Sequence, residues 1–459
     1  MGLFFWLFRW FGGSADRSGD GPSESTTGRA NESASRPITT LEELGDHPVV
    51  TGKRVLQPRN RARRHPGIRP RLVDSRRDEQ SQRRTSRRTQ FVEVTGASPY
   101  RFARFGSQTG RYLDFSRDSD EARLRERGLP VFHAPEQLAE WLGLPLNKLA
   151  WLVHRFSNGR PATVAHAHYH FTWKKKRSGG LRLIESPKPT LKQAQVRILR
   201  EILDRIPAHP AAHGFVAGRS ILTNAVPHAG QGVVVKFDLT NFYSTVGYSR
   251  VVAIFRTLGY SREAAIWLGL LTTSAVPGNM PFNHEKLYSL LPYLRRHLPQ
   301  GAPTSPALAN LSAYHLDARL TGMAKSFGAR FTRYADDLTI SGPAELARGL
   351  RTLIPLVQQI ISRERFQSNR KKRQVLRAHQ RQSIAGVVVN AKPNVSRADF
   401  DRLKAILTNC VRSGPSLQNR DHIGNFAAHL RGRIAHVAQL NPARGERLLA
   451  IFGKVDWTR

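Results

Sequence analysis

The sequence predicts an α+β fold, an antiparallel sheet framed by amphipathic helices, behind a disordered basic N-terminal extension. Three observations support this. Arg330 to Tyr334 and Leu338 to Ser341 are β-prone runs joined by Ala335-Asp336-Asp337, the pattern of a hairpin with two carboxylates at or beside its tip. Val233-Val234-Val235 with Phe237 reads as a buried strand ending in Asp238. Leu191 to Ile206 and Glu345 to Glu364 carry apolar residues at helical spacing, the second with a kink expected at Pro355.

Length and charge narrow the possibilities. A chain of 459 residues holds two or three domains and buries a sizeable core. With 72 Lys+Arg against 34 Asp+Glu the formal net charge is +38, which points to a polyanionic partner, nucleic acid by default. The single cysteine, Cys410, excludes a disulfide framework or a Cys-rich zinc module and fits a reducing cytoplasm. No apolar run approaches the ~20 residues of a membrane span, so no transmembrane segment is expected.

Taken in order, Met1 to Gly13 is strongly aromatic, suited either to docking on a partner or to disorder, and Ser14 to Pro37 has a linker's composition. Lys53 to Arg88 holds fourteen Lys/Arg against three acids. Such a stretch is either a solvated tail or an arm that pairs with phosphates through counterion release. Residues 1 to 90 are therefore expected to be disordered, and 91 to 165 to form a helical extension. Within it, Ala134 to Arg155 reads as two short helices split at Gly143-Leu144-Pro145. His166, His168 and His170 alternate as surface histidines on a strand, since no fourth metal ligand follows at a convincing spacing.

Phe171 to Pro189 reads as strand, Ser-Gly-Gly turn and strand, with Lys174 to Arg177 and Arg182 flanking one hairpin. After the strand ending at Asp238, Ser249 to Val276 reads as two helices. Leu298 to Asn310 is a Gly/Pro-rich loop opening an Ala- and Leu-rich helix. Three helices are expected beyond Val395, at Arg397 to Val411, Ser416 to Arg433 and Ala443 to Phe452. Two strands ending in acids and brought side by side would build a site for two divalent cations. Hard Mg²⁺ takes carboxylate oxygens, and phosphoryl transfer needs charge neutralised on the attacking and leaving oxygens. On composition alone, each of these acids could instead be a turn residue or a helix cap.

The order Asp238, then Gln300-Gly301-x-x-x-Ser305-Pro306, then Tyr334-x-Asp336-Asp337 resembles motifs A, B and C of reverse transcriptases. Asn224-Ala225-x-x-His228 just before motif A is similar to a signature of the bacterial retron-type enzymes. The resemblance covers about Thr163 to Arg459. It implies a right-hand polymerase, with fingers and palm over 166 to 395 and a small helical thumb over 396 to 459.

By that resemblance Asp238, Asp336 and Asp337 bind two Mg²⁺, and the carbonyl of Leu239 completes one site. Lys175 and Arg182 hold the triphosphate, Tyr243 excludes a ribose 2′-OH, and Gln300 and Gly301 support nucleotide and template. Phe366-Gln-Ser-Asn369-Arg-Lys-Lys372 resembles motif D, with Arg365 where a Gly is usual, and implies that Lys372 protonates pyrophosphate. Asn224, His228, Tyr334 and the strand at Ile384-Ala385-Gly386 would meet RNA or primer. Asn224 and His228 could equally be buried caps, and Ala385 stands where retron enzymes carry Thr.

The resemblance further implies dNTP substrates and a noncoding RNA that is both primer and template. Its product would be DNA joined to that RNA by a 2′,5′ branch, acting in phage defence with a separate effector. The alternatives are a defence-associated reverse transcriptase outside the retrons, a group II intron enzyme, and an RNA-binding protein with a silent palm.

Overall fold

The computed structural model describes residues 92–458 apart from 107–108, 155–159, 177–178 and 281–290. The aromatic N-terminus, the linker and the basic stretch Lys53 to Arg88 lie outside the described residues, as does Arg177.

The described chain opens with a three-stranded antiparallel sheet of β1 (Val92–Val94), β2 (Arg104–Gly106) and β3 (Arg111–Asp114), in the order β1-β3-β2. The sequence predicts helix here instead, because strands of three or four residues leave too short an alternation to detect. Helices α1 (Glu121–Glu126), α2 (Pro135–Leu142) and α3 (Leu146–Leu152) follow. Gly143 ends α2 in the left-handed region at φ 68°, and Pro145 precedes α3, so the split falls where the sequence places it.

Strands β4 (Tyr169–Lys175) and β5 (Leu181–Pro187) form a separate hairpin, paired from Tyr169↔Pro187 to Lys175↔Leu181. Helix α4 (Pro189–Glu201) buries Leu191, Ala194 and Ile198. The short α5 (Ile221–Ala225) is capped by Ser220, whose hydroxyl accepts from the Thr223 amide. Next come β6 (Val233–Asp238), α6 (Tyr248–Leu258), α7 (Arg262–Thr272), α8 (Leu291–Leu294), α9 (Ser305–Ser312) and α10 (Tyr314–Ser326). Then follow β7 (Arg330–Tyr334), β8 (Asp337–Gly342), α11 (Leu346–Arg363, containing Pro355) and β9 (Gln374–Arg377).

The four strands β7-β8-β6-β9 make one antiparallel sheet. Strand β6 sits inside it with both faces covered, which explains its unbroken apolar run. Val233, Val235 and Phe237 join the main core with Leu338, Ile340, Phe255 and Trp267. Val234 points the other way, into a second core. That core also holds the small hairpin β10 (Ser383–Ile384) and β11 (Val387–Val388), through Ile384 and Val387.

Three helices complete the second core: α12 (Arg397–Ser413), α13 (Phe426–Leu440) and α14 (Pro442–Phe452). The middle helix begins ten residues later than its apolar spacing suggests. Asn425 caps it by accepting from the Ala428 amide, and Asn419 closes the preceding loop through both polar ends of its side chain onto Ile423.

Candidate active site

Strand pairing brings the acids together. Asp238 at the end of β6 lies directly opposite Asp337 at the start of β8, and Tyr334↔Asp337 closes the β7–β8 hairpin over Ala335 and Asp336. The turn is tight, with Ala335 at φ 55°, a region L-residues other than Asn and Asp rarely occupy. It is also laced to its neighbours. The Leu239 amide donates to the Asp336 carbonyl at 2.9 Å, and the Asn369 amide to the Asp238 carbonyl at 2.8 Å. The three carboxylates thus rest on backbone fixed from both strands.

Their electrostatics are those of an acidic cluster that nearby cations compensate only in part. Burial, and then the Asp238 charge, raise Asp336 above the usual carboxylate range. Burial, and then Asp336, push Asp337 up to about 6. Lys372 donates from Nζ to Asp238 Oδ1 at 2.8 Å, and that bond raises its own pKa. Among the described residues no three acidic, imidazole or thiol side chains converge to ligand distance as they stand, and Lys372 occupies one Asp238 oxygen. The donor set nevertheless fits a hard divalent cation: carboxylate oxygens on adjacent strands, with charge that a cation would relieve.

The β4–β5 hairpin supplies positive charge, and its pleat sorts the basic residues by face. Residues paired across two strands share a face, and Arg182 pairs with Lys174 while Lys175 pairs with Leu181. Lys175 therefore lies on the opposite face from Arg182, with Trp173 and Leu183. Lys176 continues the Arg182 face, its amide bonded to the Gly180 carbonyl at 2.9 Å. Burial first, then Arg182 and Lys372, lower the Lys176 pKa, while Asp238 opposes the shift, so Lys176 senses the acidic cluster.

Gln300 and Gly301 clip onto this hairpin. The Gln300 carbonyl accepts from the Glu185 amide at 2.9 Å, and a Cβ on Gly301, whose φ is 134°, would come within 2.8 Å of the Glu185 carbonyl oxygen. Glu185 in turn meets His297 in a fully buried pair at 2.8 Å. Tyr243 is half-buried, and burial, then Asp336, raise its pKa.

The residues expected to meet RNA divide. His228 is fully enclosed, with Nδ1 2.6 Å from Ser341 Oγ and Nε2 2.8 Å from Thr332 Oγ1. Burial pushes it down to about 3, so it stays neutral. Asn224 is 1% exposed. Neither reaches a surface, because α5 packs on the central sheet; His228 has the geometry of a buried cap, bonded through both ring nitrogens, whereas the buried Oδ1 of Asn224 meets no hydrogen-bond partner among the described residues.

Ile384 is likewise turned into the second core, since β10 must bury one face, and only the tip Ala385-Gly386 emerges, both at positive φ. Tyr334 stays half-buried at the hairpin tip. His168, expected on the surface, is buried and stacked on His154 at 4.2 Å.

Sequence reasoning missed the support behind the turn. Arg333, fully buried, makes a two-pronged bond to Asp317 at 2.7 and 2.6 Å and donates to Asn310 Oδ1 and the Ala335 carbonyl. Nothing in the spacing of Asp317 and Arg333 signals that pair. The face of Lys176 was legible in principle from period-two counting along β4.

Residues 173–390 match the family described as reverse transcriptase (RNA-dependent DNA polymerase). The chain is 40% identical over 329 residues to the retron Mx65 reverse transcriptase of Myxococcus xanthus, covering 72% of this chain and 73% of that protein. It is 38% identical over 354 residues to the retron Mx162 reverse transcriptase of the same organism, covering 74% and 70%. Among solved structures, a telomerase from Candida albicans matches with TM-score 0.36 and 12% identity over 62% of each chain, so less than two thirds of that chain is spanned.

Proposed function

This chain belongs to the retron reverse transcriptases and is an RNA-directed DNA polymerase; from that premise we propose that it copies a structured noncoding RNA, which serves as both primer and template, into DNA joined to RNA by a 2′,5′ branch. The observation that carries the reading is the cross-strand pair Asp238↔Asp337 beside the Asp336 turn, with Lys176 and Arg182 on the one hairpin face electrostatically coupled to it. The central sheet then serves as palm, the β4–β5 hairpin as fingers, and α12 to α14 as thumb. With a separate effector the product would act in phage defence, in the cytoplasm.

Asp238, Asp336 and Asp337, with the Leu239 carbonyl, would hold two Mg²⁺. When bound, such ions lower the pKa of the primer hydroxyl and neutralise the leaving pyrophosphate. Arg182 and Lys176 bind the triphosphate of the incoming dNTP, Arg182 in bidentate fashion. Tyr243 presents a bulky ring where a ribose 2′-OH would fall. Gln300 and Gly301 hold the nucleotide and template against the fingers. Lys372 Nζ, already on Asp238, delivers a proton to the departing pyrophosphate oxygen. Ala385 and Gly386 touch the primer backbone, while His228 braces the palm from inside through Ser341 and Thr332.

The test is chemical. DNA purified with the protein, treated with RNase, should retain one ribonucleotide at its 5′ end through a 2′,5′ linkage that a debranching enzyme removes. A free 5′ end would overturn the retron-type product.

A further inference from the structure

Phe215 has no part in the chemistry above, yet the loop carrying it is clamped to the catalytic hairpin. The Arg333 amide donates to the Ala211 carbonyl at 2.7 Å and the His213 amide to the Arg333 carbonyl at 2.8 Å, and Arg219 bonds back to the carbonyls of Pro210 and Ala212. A Cβ on Gly214 would lie 2.6 Å from the Ala335 nitrogen, and the Gly214 carbonyl accepts from the buried Asn310 amide at 2.9 Å. The chain immediately before Phe215 thus lies against the turn that carries Asp336.

Held this firmly, Phe215 adopts φ 60°, a left-handed conformation that strains a residue other than Gly. The residue stays 49% exposed, with its ring centroid 6.5 Å from that of Tyr334 and the two planes tilted by 37°. Scattered exposed phenylalanines need no explanation. This one combines backbone strain, a loop pinned on both sides and a second aromatic ring from the Tyr-x-Asp-Asp hairpin. Strain that the surroundings impose on an exposed ring beside a reaction centre is a mark of function.

The geometry points to Phe215 as a stacking platform for a nucleobase of the template–primer where it crosses the tip of the catalytic hairpin. It rests on the assignment of the Asp238–Asp336–Asp337 site. Every base presents a π-face, so such a contact positions nucleic acid without reading its sequence. Tyr334 backs the ring, and the basic hairpin face carries the phosphates.

The experiment measures equilibrium binding of an annealed RNA template–DNA primer to the full-length protein, with single abasic sites walked along each strand. In the wild type, one position near the primer terminus should weaken binding about fivefold or more, in keeping with the loss of one stacked base. In Phe215→Leu the intact duplex should already bind that much more weakly, and the same abasic site should cost nothing further. Phe215→Trp should restore wild-type behaviour.

A sensitive position in the template strand identifies a template base as the occupant, and one in the primer strand a primer base. Binding by the wild type that is indifferent to every abasic site, or an abasic penalty that persists undiminished in Phe215→Leu, overturns the proposal. Asp336→Asn, run in parallel, keeps the two claims apart. If it abolishes extension while the abasic profile is flat, the stacking fails and the active-site assignment stands. If it leaves extension intact, the active-site assignment fails whatever the binding profile shows.

Discussion

Asp337 pairs with Asp238 across two strands, beside Asp336, and burial drives its carboxyl to about 6. Its folded-state pKa lies above the ordinary value of about 3.9. The native state therefore holds the proton more tightly than the unfolded chain. Without metal, the contribution of this group to stability falls as pH rises from about 4 to about 6 and stays unfavourable at neutral pH. Asp337→Asn should accordingly raise the melting temperature in EDTA at pH 7.5 by about 2–4 °C while ending DNA synthesis. It should also remove the Mg²⁺-dependent rise in melting temperature that the wild type shows. A variant that melts lower than wild type in EDTA would mean that the carboxylates are compensated within the fold.

That the three acids come together was largely legible from sequence, because β-prone runs that end in Asp place those carboxylates at strand ends. Their supports were not. Arg333 looks like a solvent-facing residue of a half-exposed strand, yet it is enclosed and tied to Asp317 sixteen residues earlier. Only the fold brings α10 behind β7. His228 and Asn224 read equally as RNA contacts or as caps, since burial cannot be seen in a five-residue motif.

At the scale of elements, alternation decides what the hairpin β4–β5 presents. Its existence was plain from the Ser-Gly-Gly turn, and its facing was not, because four consecutive basic residues hide which of them point together. The register Lys174↔Arg182 settles it. Lys176→Ala should raise the KM for dNTP about tenfold or more, the cost of losing one charge-assisted bond to phosphate. Lys175→Ala, on the other face, should change it by less than about twofold, within the range of ordinary surface substitutions. Steady-state extension assays on both variants check the pair, and the reverse ranking would restore the Lys175 assignment. The short sheet β1–β3 shows the opposite limit. Its strands, three and four residues long, draw stability from pairing and from Tyr100 and Phe115 in the core, not from any pattern of their own.

Across the whole molecule, two cores meet at the central sheet, with Val233 and Val235 in one and Val234 in the other. The full sequence carries a net charge of +38, and fourteen of its Lys and Arg residues fall between Lys53 and Arg88. If that stretch pairs with RNA phosphates, removing residues 1–89 should flatten the plot of log affinity against log salt by about 0.7–0.9 for each phosphate no longer neutralised, with the melting temperature unchanged. An unaltered slope would mean that the stretch is a solvated tail or serves another partner. No helix among the described residues is long and apolar enough to cross a membrane. Membership of the retron group sets aside the intron-enzyme and non-retron readings that the motifs alone had left open.

The central claim is that Asp238, Asp336 and Asp337 act as one site. Its most direct measurement is Mg²⁺-dependent extension of a primer on RNA by Asp336→Asn, with RNA affinity determined on the same preparation. Because members of a catalytic unit fail together, extension should drop by about 100-fold or more while RNA binding stays within about twofold of wild type. Extension above a few per cent of wild type, with the protein folded and RNA bound, would contradict it.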